Sequence, residues 1–335
     1  MFSGPRLQTR GLPGKRARGG RITGIAHLRG THRGATAARR LGHRRLLRGG
    51  SRVKVVVTGA AGQLGAATVL EWKAAGHAVT GLTRADLDIT VPADVRRVMA
   101  RVAPDVILNC VGDNRVDAAQ AAPLPALAVN AFAVRTLARV AAEYGATLVH
   151  YGTDFVFDGD TDQPYTEDDA PNPRSVYGMT KLLGEQLATD APRHYVLRVE
   201  SLFGGNMAGS SIDRLWAQMA SGGPAVAFSD RVVSPSFVED VVAATRAVIE
   251  RQAPAGLYHC VNTGHATWFD VADHLRRLGG FPETCLQAGR AAEMKWLAPR
   301  PLFAALSNTK LQRAGVTMPT WQDAVERFVR QRSRQ

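Results

Sequence analysis

Hydrophobic positions first fall into a regular pattern at Val53-Lys-Val-Val-Val-Thr58, a nearly continuous β-branched run. Such a run reads as a strand buried on both faces of a parallel sheet. Helical spacing follows to about residue 75, and residues 77–83 read as a second strand. A helix near 93–102, a strand at 105–109, an Ala-rich helix at about 125–144 and a strand at 147–151 continue the alternation. Short apolar runs alternating with helical periods predict βαβ units and an α/β, Rossmann-like, doubly wound parallel sheet.

Residues 158–174, rich in Asp, Pro and Thr, predict a loop over the sheet edge, followed by a helix to about 189 and a strand at 194–199. Beyond Glu200 the alternation breaks. Residues 204–209 read as flexible, 211–220 as helix and 222–234 as a short strand pair, while 235–251 and 256–261 return to the α/β pattern. With helices at 269–278 and 320–329, the expected division is a dinucleotide-binding domain over 53–200, rejoined by 235–262. A smaller C-terminal α/β lobe over 201–331 is expected to bind mainly substrate.

Composition changes this picture in one place. Apolar residues make up 45% of the 335 and mean hydropathy is −0.12. No uninterrupted run of 18 apolar residues occurs, so no membrane partner is expected. The net charge of +13 belongs to residues 1–50, which hold thirteen Lys and Arg and no acid; the remainder balances 29 basic against 29 acidic residues. Residues 1–52 therefore read as a disordered basic tail. A transit peptide and a non-specific nucleic-acid arm both stay open for it, with a mis-set start ahead of Val53 favoured. No specific nucleic-acid partner is expected. Cys110, Cys260 and Cys285 are scattered and odd in number, which argues against a disulfide framework or metal site and fits the cytoplasm.

The chemistry begins at Gly59-Ala-Ala-Gly62-Gln-Leu-Gly65, directly after the first strand and opening a helix. Glycines there allow a tight turn, close backbone approach to a pyrophosphate and close helix–strand packing, and the helix start offers free N–H groups. After the second strand stands Thr83-Arg84, with no acid before Asp86. An acid at that point accepts a ribose 2′-hydroxyl, whereas Arg suits a 2′-phosphate, so NADP(H) is expected ahead of NAD(H).

Tyr177 and Lys181 are spaced i, i+4 and share a helix face. An ammonium beside a phenol favours phenolate, which makes such a tyrosine a usable acid. Thr153 closes the fourth strand, and ligands of doubly wound sheets sit beyond the carboxyl ends of strands. Together these groups suit hydride transfer at a carbon–oxygen bond. His150, His194, His259 and His265 show no ligand spacing and read as structural, as do Trp216, Trp268, Trp296 and Trp321.

Taken with V-T-G-A-A-G-Q-L-G at 57–65, D-L-D-I-T at 86–90, V-D at 116–117, T-D-F-V-F-D-G at 153–159, Y-G-M-T-K at 177–181 and R-P at 300–301, the chain resembles the extended short-chain dehydrogenase/reductase superfamily. Within it, the chain is most similar to dTDP-4-dehydrorhamnose reductases. The resemblance implies reduction of a nucleotide-linked 4-keto sugar, with Thr153, Tyr177 and Lys181 catalytic. Thr153 would hydrogen-bond the ketone, Tyr177 would donate the proton, and Lys181 would hold the nicotinamide ribose and lower the Tyr177 pKa. It implies cofactor contacts from Gly59, Gly62, Gln63, Leu64, Gly65, Arg84, Asp88, Ile89, Asn109, Cys110 and Val111, beside Tyr177 and Lys181. Asp154 and Arg300 would join Thr153 at the substrate, Arg300 on its diphosphate. A homodimer stays open. So do an epimerase of the same superfamily and a non-catalytic subunit like the methionine adenosyltransferase beta subunit.

The chain departs from the resemblance at four places. Gly152 replaces a Ser, and Gly112-Asp113-Asn114 replaces a segment with an aromatic or His. Ala67 stands where some relatives have a Glu that supports a magnesium-linked dimer. Arg198-Val-Glu-Ser201 replaces Arg-Thr-Ser-Trp, losing the Trp that packs on the sugar.

Overall fold

The structure, a computed structural model, describes residues 52–205 and 209–333. The readings of the basic tail, and part of the flexible segment expected at 204–209, fall outside the described residues. Strands β1 (Lys54–Thr58), β2 (Ala78–Leu82), β3 (Val106–Asn109), β4 (Thr147–Thr153), β5 (His194–Val199) and β6 (Gly256–His259) form one parallel sheet in the order β6-β5-β4-β3-β1-β2. The order reverses between β1 and β3, and at such a switch point the loops part to leave a crevice.

Alternation along each strand feeds two separate cores. Val55 and Val57 point to one face with Leu108, Val149 and Leu197, where α1 (Gln63–Ala74) and a helix at Val238–Glu250 cover them. Val56, Ile107, Leu148 and Val196 point to the other, beneath α2 (Pro92–Val102), α4 (Pro123–Tyr144) and α5 (Val176–Ala188). A short α3 (Val116–Ala121) leads into α4.

Helix α4 begins two residues earlier than its periodicity suggested, because Pro123 sits in the first turn, where a missing N–H costs nothing. A π turn interrupts it at Ala128–Phe132. At 22 residues and hydropathy 1.3 it is long and apolar enough to cross a membrane, although no uninterrupted apolar run marks it in the sequence. In the fold, Val134, Leu137, Ala138 and Ala141 are spent on the sheet core instead.

The C-terminal lobe has its own core around Phe203, Ile212, Leu215, Trp268, Leu275 and Phe328. The strand pair expected within 222–234 is corrected. Ala225–Phe228 pairs in parallel with Leu286–Gly289, and Val232–Val233 pairs antiparallel with Ala266–Thr267. These distant partners place Ala225 and Ala227 in the lobe core, alongside Ile212 and Leu275.

Candidate active site

Strand β1 runs straight into Gly59, whose φ of 73° is left-handed. A Cβ at Gly65 would lie 2.1 Å from the Gly59 carbonyl oxygen, so the turn closes onto α1 only with glycine there. Beyond it a cleft of about 520 Å³ opens at the switch point, with Gly59, Gly62, Arg84, Asp88, Ile89, Cys110 and Val111 in its wall.

Four expected contacts stand behind that wall. The Gln63 amide donates to the Gly204 carbonyl at 2.9 Å, Leu64 is buried in the core, and Gly65 is taken up by packing. Asn109 is buried too, accepting from Thr58 Oγ1 at 2.8 Å and lying 3.2 Å from His150 Nδ1. Among the cleft residues not predicted as contacts are Gly112, Asp113, Asn114 and Arg115, directly after β3. Their position past a strand's carboxyl end was the available signal.

The two acids near Arg84 are occupied locally. Asp86 accepts from the Thr83 N–H at 2.9 Å and hydroxyl at 2.7 Å, and Asp88 accepts from the Thr90 N–H at 2.9 Å and hydroxyl at 2.6 Å. These bonds hold both carboxyls below the usual carboxylate range. Arg84 remains exposed at the cleft.

Past the end of β4, Thr153, Tyr177 and Lys181 meet. Ser175 caps α5 by accepting from the Gly178 N–H, which sets the helix start and with it the Tyr177 side chain. Tyr177 faces the Thr153 hydroxyl, and its ring meets Phe155 edge-on at 5.3 Å. One turn on, Lys181 Nζ donates to the Tyr151 carbonyl. The lowered phenol expected from the Tyr-Lys spacing is corrected: burial pushes Tyr177 up, and burial drives Lys181 down to about 8, with Glu185 opposing. Desolvation is the largest cause for each group. Tyr177 therefore keeps its proton at neutral pH.

Asn130, on the π turn of α4, was not singled out from sequence. It is fully buried, donating to the Asp113 carbonyl at 2.9 Å and Thr180 Oγ1 at 3.0 Å while accepting from the Asp113 N–H at 2.8 Å. It thereby holds the cleft wall beside Lys181; a Cβ at Gly112 would be 3.8 Å from Lys181 Nζ.

Arg300 forks onto Asp117 at 3.0 and 2.7 Å and lies 4.7 Å from the Trp296 ring. The fork, with the Ala298 N–H, holds Asp117 down at about 2. Its guanidinium thus joins the C-terminal lobe to α3, and its donors are partly engaged before any diphosphate contact. Trp268 and Trp321 are core, whereas Trp216 and Trp296 are half-buried. His150 and His259 are buried and kept neutral by desolvation, and His194 Nδ1 lies 2.8 Å from the Ala191 carbonyl.

Comparison with known proteins identifies the family. A family model described as the RmlD substrate binding domain matches residues 53–334. The chain is 35% identical over 278 residues to the dTDP-4-dehydrorhamnose reductase of Mycolicibacterium smegmatis, covering 82% of this chain and 84% of that one. It is 29% identical over 280 residues to the spore coat polysaccharide biosynthesis protein SpsK of Bacillus subtilis, covering 84% and 98%. Among solved structures, dTDP-4-dehydrorhamnose reductase from Bacillus anthracis in complex with NADP superposes with a TM-score of 0.79 at 27% identity, covering 84% of this chain and 99% of that one. From Val53 onward, therefore, the chain belongs to the RmlD substrate-binding-domain family, within the extended short-chain dehydrogenase/reductases.

Proposed function

We propose that this protein is an NADPH-preferring reductase of a nucleotide-linked 4-keto sugar, acting as dTDP-4-dehydrorhamnose reductases do. The observation that carries the reading is the meeting of the Thr153 and Tyr177 hydroxyls one helical turn from Lys181, beside the cleft. The cleft fits a dinucleotide: its turn closes onto the helix only with glycine at 65, and Arg84 stands exposed there while Asp86 and Asp88 are each engaged by a neighbouring threonine. Gly59, Gly62, Arg84 and Val111 would hold that cofactor, whose nicotinamide would supply the hydride.

The chain's own groups do the rest. Tyr177 Oη gives its proton to the ketone oxygen as that oxygen gains charge, and burial ensures the proton is present at neutral pH. Thr153 hydrogen-bonds the same oxygen. Lys181, ionised below about pH 8, offers positive charge to the phenolate left behind. The C-terminal lobe, drawn mainly from residues 201–331 outside the returning 235–262 segment, closes the substrate side, and the cytoplasm suits three cysteines that all remain unpaired.

The test is NADPH oxidation with a dTDP-4-dehydro-6-deoxy sugar in wild type and Tyr177→Phe. Removing the general acid should lower kcat by about 10²–10⁴-fold while NADPH binding persists. Tight NADPH binding without turnover of any 4-keto nucleotide sugar would instead indicate the non-catalytic subunit.

A further inference from the structure

The register of the sheet brings two carboxyls together behind the site. Thr153 on β4 pairs with Val199 on β5, so Asp154 and Glu200 leave the parallel strands side by side. Both are almost fully buried, at 3% and 1% exposure. Each has one oxygen engaged: Asp154 Oδ1 with Thr153 Oγ1 at 2.9 Å, and Glu200 Oε2 accepting from the Ser234 N–H at 2.6 Å. The other two, Asp154 Oδ2 and Glu200 Oε1, are buried with no partner. Ser201, at φ 47°, turns the chain sharply directly after Glu200.

The surroundings cannot neutralise two negative charges. Arg231 is the cation facing both; its Nε donates to the Pro301 carbonyl at 3.2 Å and its guanidinium lies 5.7 Å from the Phe155 ring. Arg300 opposes the charge on Arg231 from the C-terminal lobe. On the substrate side Asp154 faces the Tyr177 phenol. Two adjacent buried carboxyls served by one cation hold one proton between them. Burial pushes Asp154 up to about 6 against the pull of Arg231, and burial followed by the Asp154 charge pushes Glu200 well above its usual range.

We propose that Asp154 and Glu200 share one proton, and that this proton turns the Thr153 hydroxyl toward the substrate ketone, making Glu200 a positioning residue. With Asp154 ionised, the Thr153 hydrogen is drawn onto Oδ1 and Thr153 offers the ketone only lone pairs. With the proton on Asp154 Oδ2, Oδ1 becomes a neutral carbonyl oxygen that holds the Thr153 hydrogen far less strongly, and the hydroxyl hydrogen is released toward the site. No bond to carbon changes in this step; one proton moves between Asp154 Oδ2 and Glu200 Oε1. The orientation of Thr153 rests on the reductase reading, whereas the shared proton does not.

Infrared spectroscopy of the purified full chain tests the shared proton without substrate. At pH 7 the wild type should show the deuterium-sensitive carbonyl stretch of a buried carboxylic acid. Glu200→Gln, and independently Glu200→Ser, should lose it, because Asp154 alone beside Arg231 ionises. A wild type without the band, or a band unchanged in either variant, overturns the proposal. Kinetics test the orientation: Glu200→Gln should lower kcat about 10²-fold, the scale of losing one preorganised donor. It should also remove the limb of the alkaline fall in kcat that marks loss of the shared proton, leaving the limb set by Lys181 near pH 8. Asp154→Asn, which carries no charge at any pH and so holds the Thr153 hydrogen weakly, should retain more activity than Glu200→Gln; the reverse order overturns the positioning role.

Discussion

Gly152 and Glu185 compete for one volume: a Cβ on Gly152 would lie 2.2 Å from Glu185 Oε1 and 2.9 Å from Arg198 Cγ. The carboxylate cannot swing aside freely, because Arg198 grips it with three hydrogen bonds of 2.8–3.1 Å and both side chains are buried. The serine typical of the resembled reductases is thus excluded here by the ion pair behind the strand. Gly152→Ser should destabilise the fold by about 3 kcal/mol, the lower range for disrupting a buried pair. Urea unfolding measures this; a change below about 0.5 kcal/mol, the range of an ordinary surface substitution, would show that the pair relocates easily.

Lys181 gives a pH signature to stability. Its folded pKa of about 8 lies below the unfolded value of roughly 10.4, so between them the unfolded chain holds a proton that the folded chain lacks. Stability from this group therefore rises with pH across that window, by about 3 kcal/mol when complete, and is flat below it. Comparing urea midpoints of wild type and Lys181→Met from pH 7 to 9.5 isolates the contribution before tyrosines ionise. Parallel curves would contradict it.

Arg84 should set cofactor choice, since Asp86 and Asp88 are committed to Thr83 and Thr90. Arg84→Ala is expected to lower the preference for NADPH over NADH about tenfold, mostly in KM, as befits one charge-assisted contact at an exposed site. Steady-state kinetics with both cofactors decide it, and an unaltered ratio removes Arg84 from the role.

Asn130 should matter to stability and rate together. Asn130→Ala strands the Asp113 N–H and carbonyl, with an expected cost of about 2 kcal/mol. Loosening of the wall beside Lys181 should lower kcat as well. Denaturant titration paired with kinetics checks this, and Asn130→Asp, which keeps the acceptor for the Asp113 N–H, should lie between wild type and Ala.

Much of the nucleotide half was legible along the chain. Val53–Thr58 announced a doubly buried strand through its β-branched run, and Gly59, Gly62 and Gly65 announced a tight turn, in which Gly59 and Gly65 must be glycine. Tyr177 and Lys181 were placed on one face by helical period alone. Such features depend on neighbours within a few residues, where backbone geometry dictates the outcome. The 222–234 segment misled for the converse reason: the partners of Ala225–Phe228 and Val232–Val233 lie 33 or more positions away.

What the tertiary structure alone decided is electrostatic. Whether Tyr177 is lowered by Lys181 or raised by burial depends on how much water each retains, which no spacing encodes. Arg300 met Asp117 because the C-terminal segment returns to α3. Asp154 and Glu200 became neighbours through the register of β4 against β5, 46 positions apart in the chain. The sequence by itself determined which groups could do the chemistry; packing decided which charges they carry, because desolvation is a property of the assembled surroundings and not of the residue.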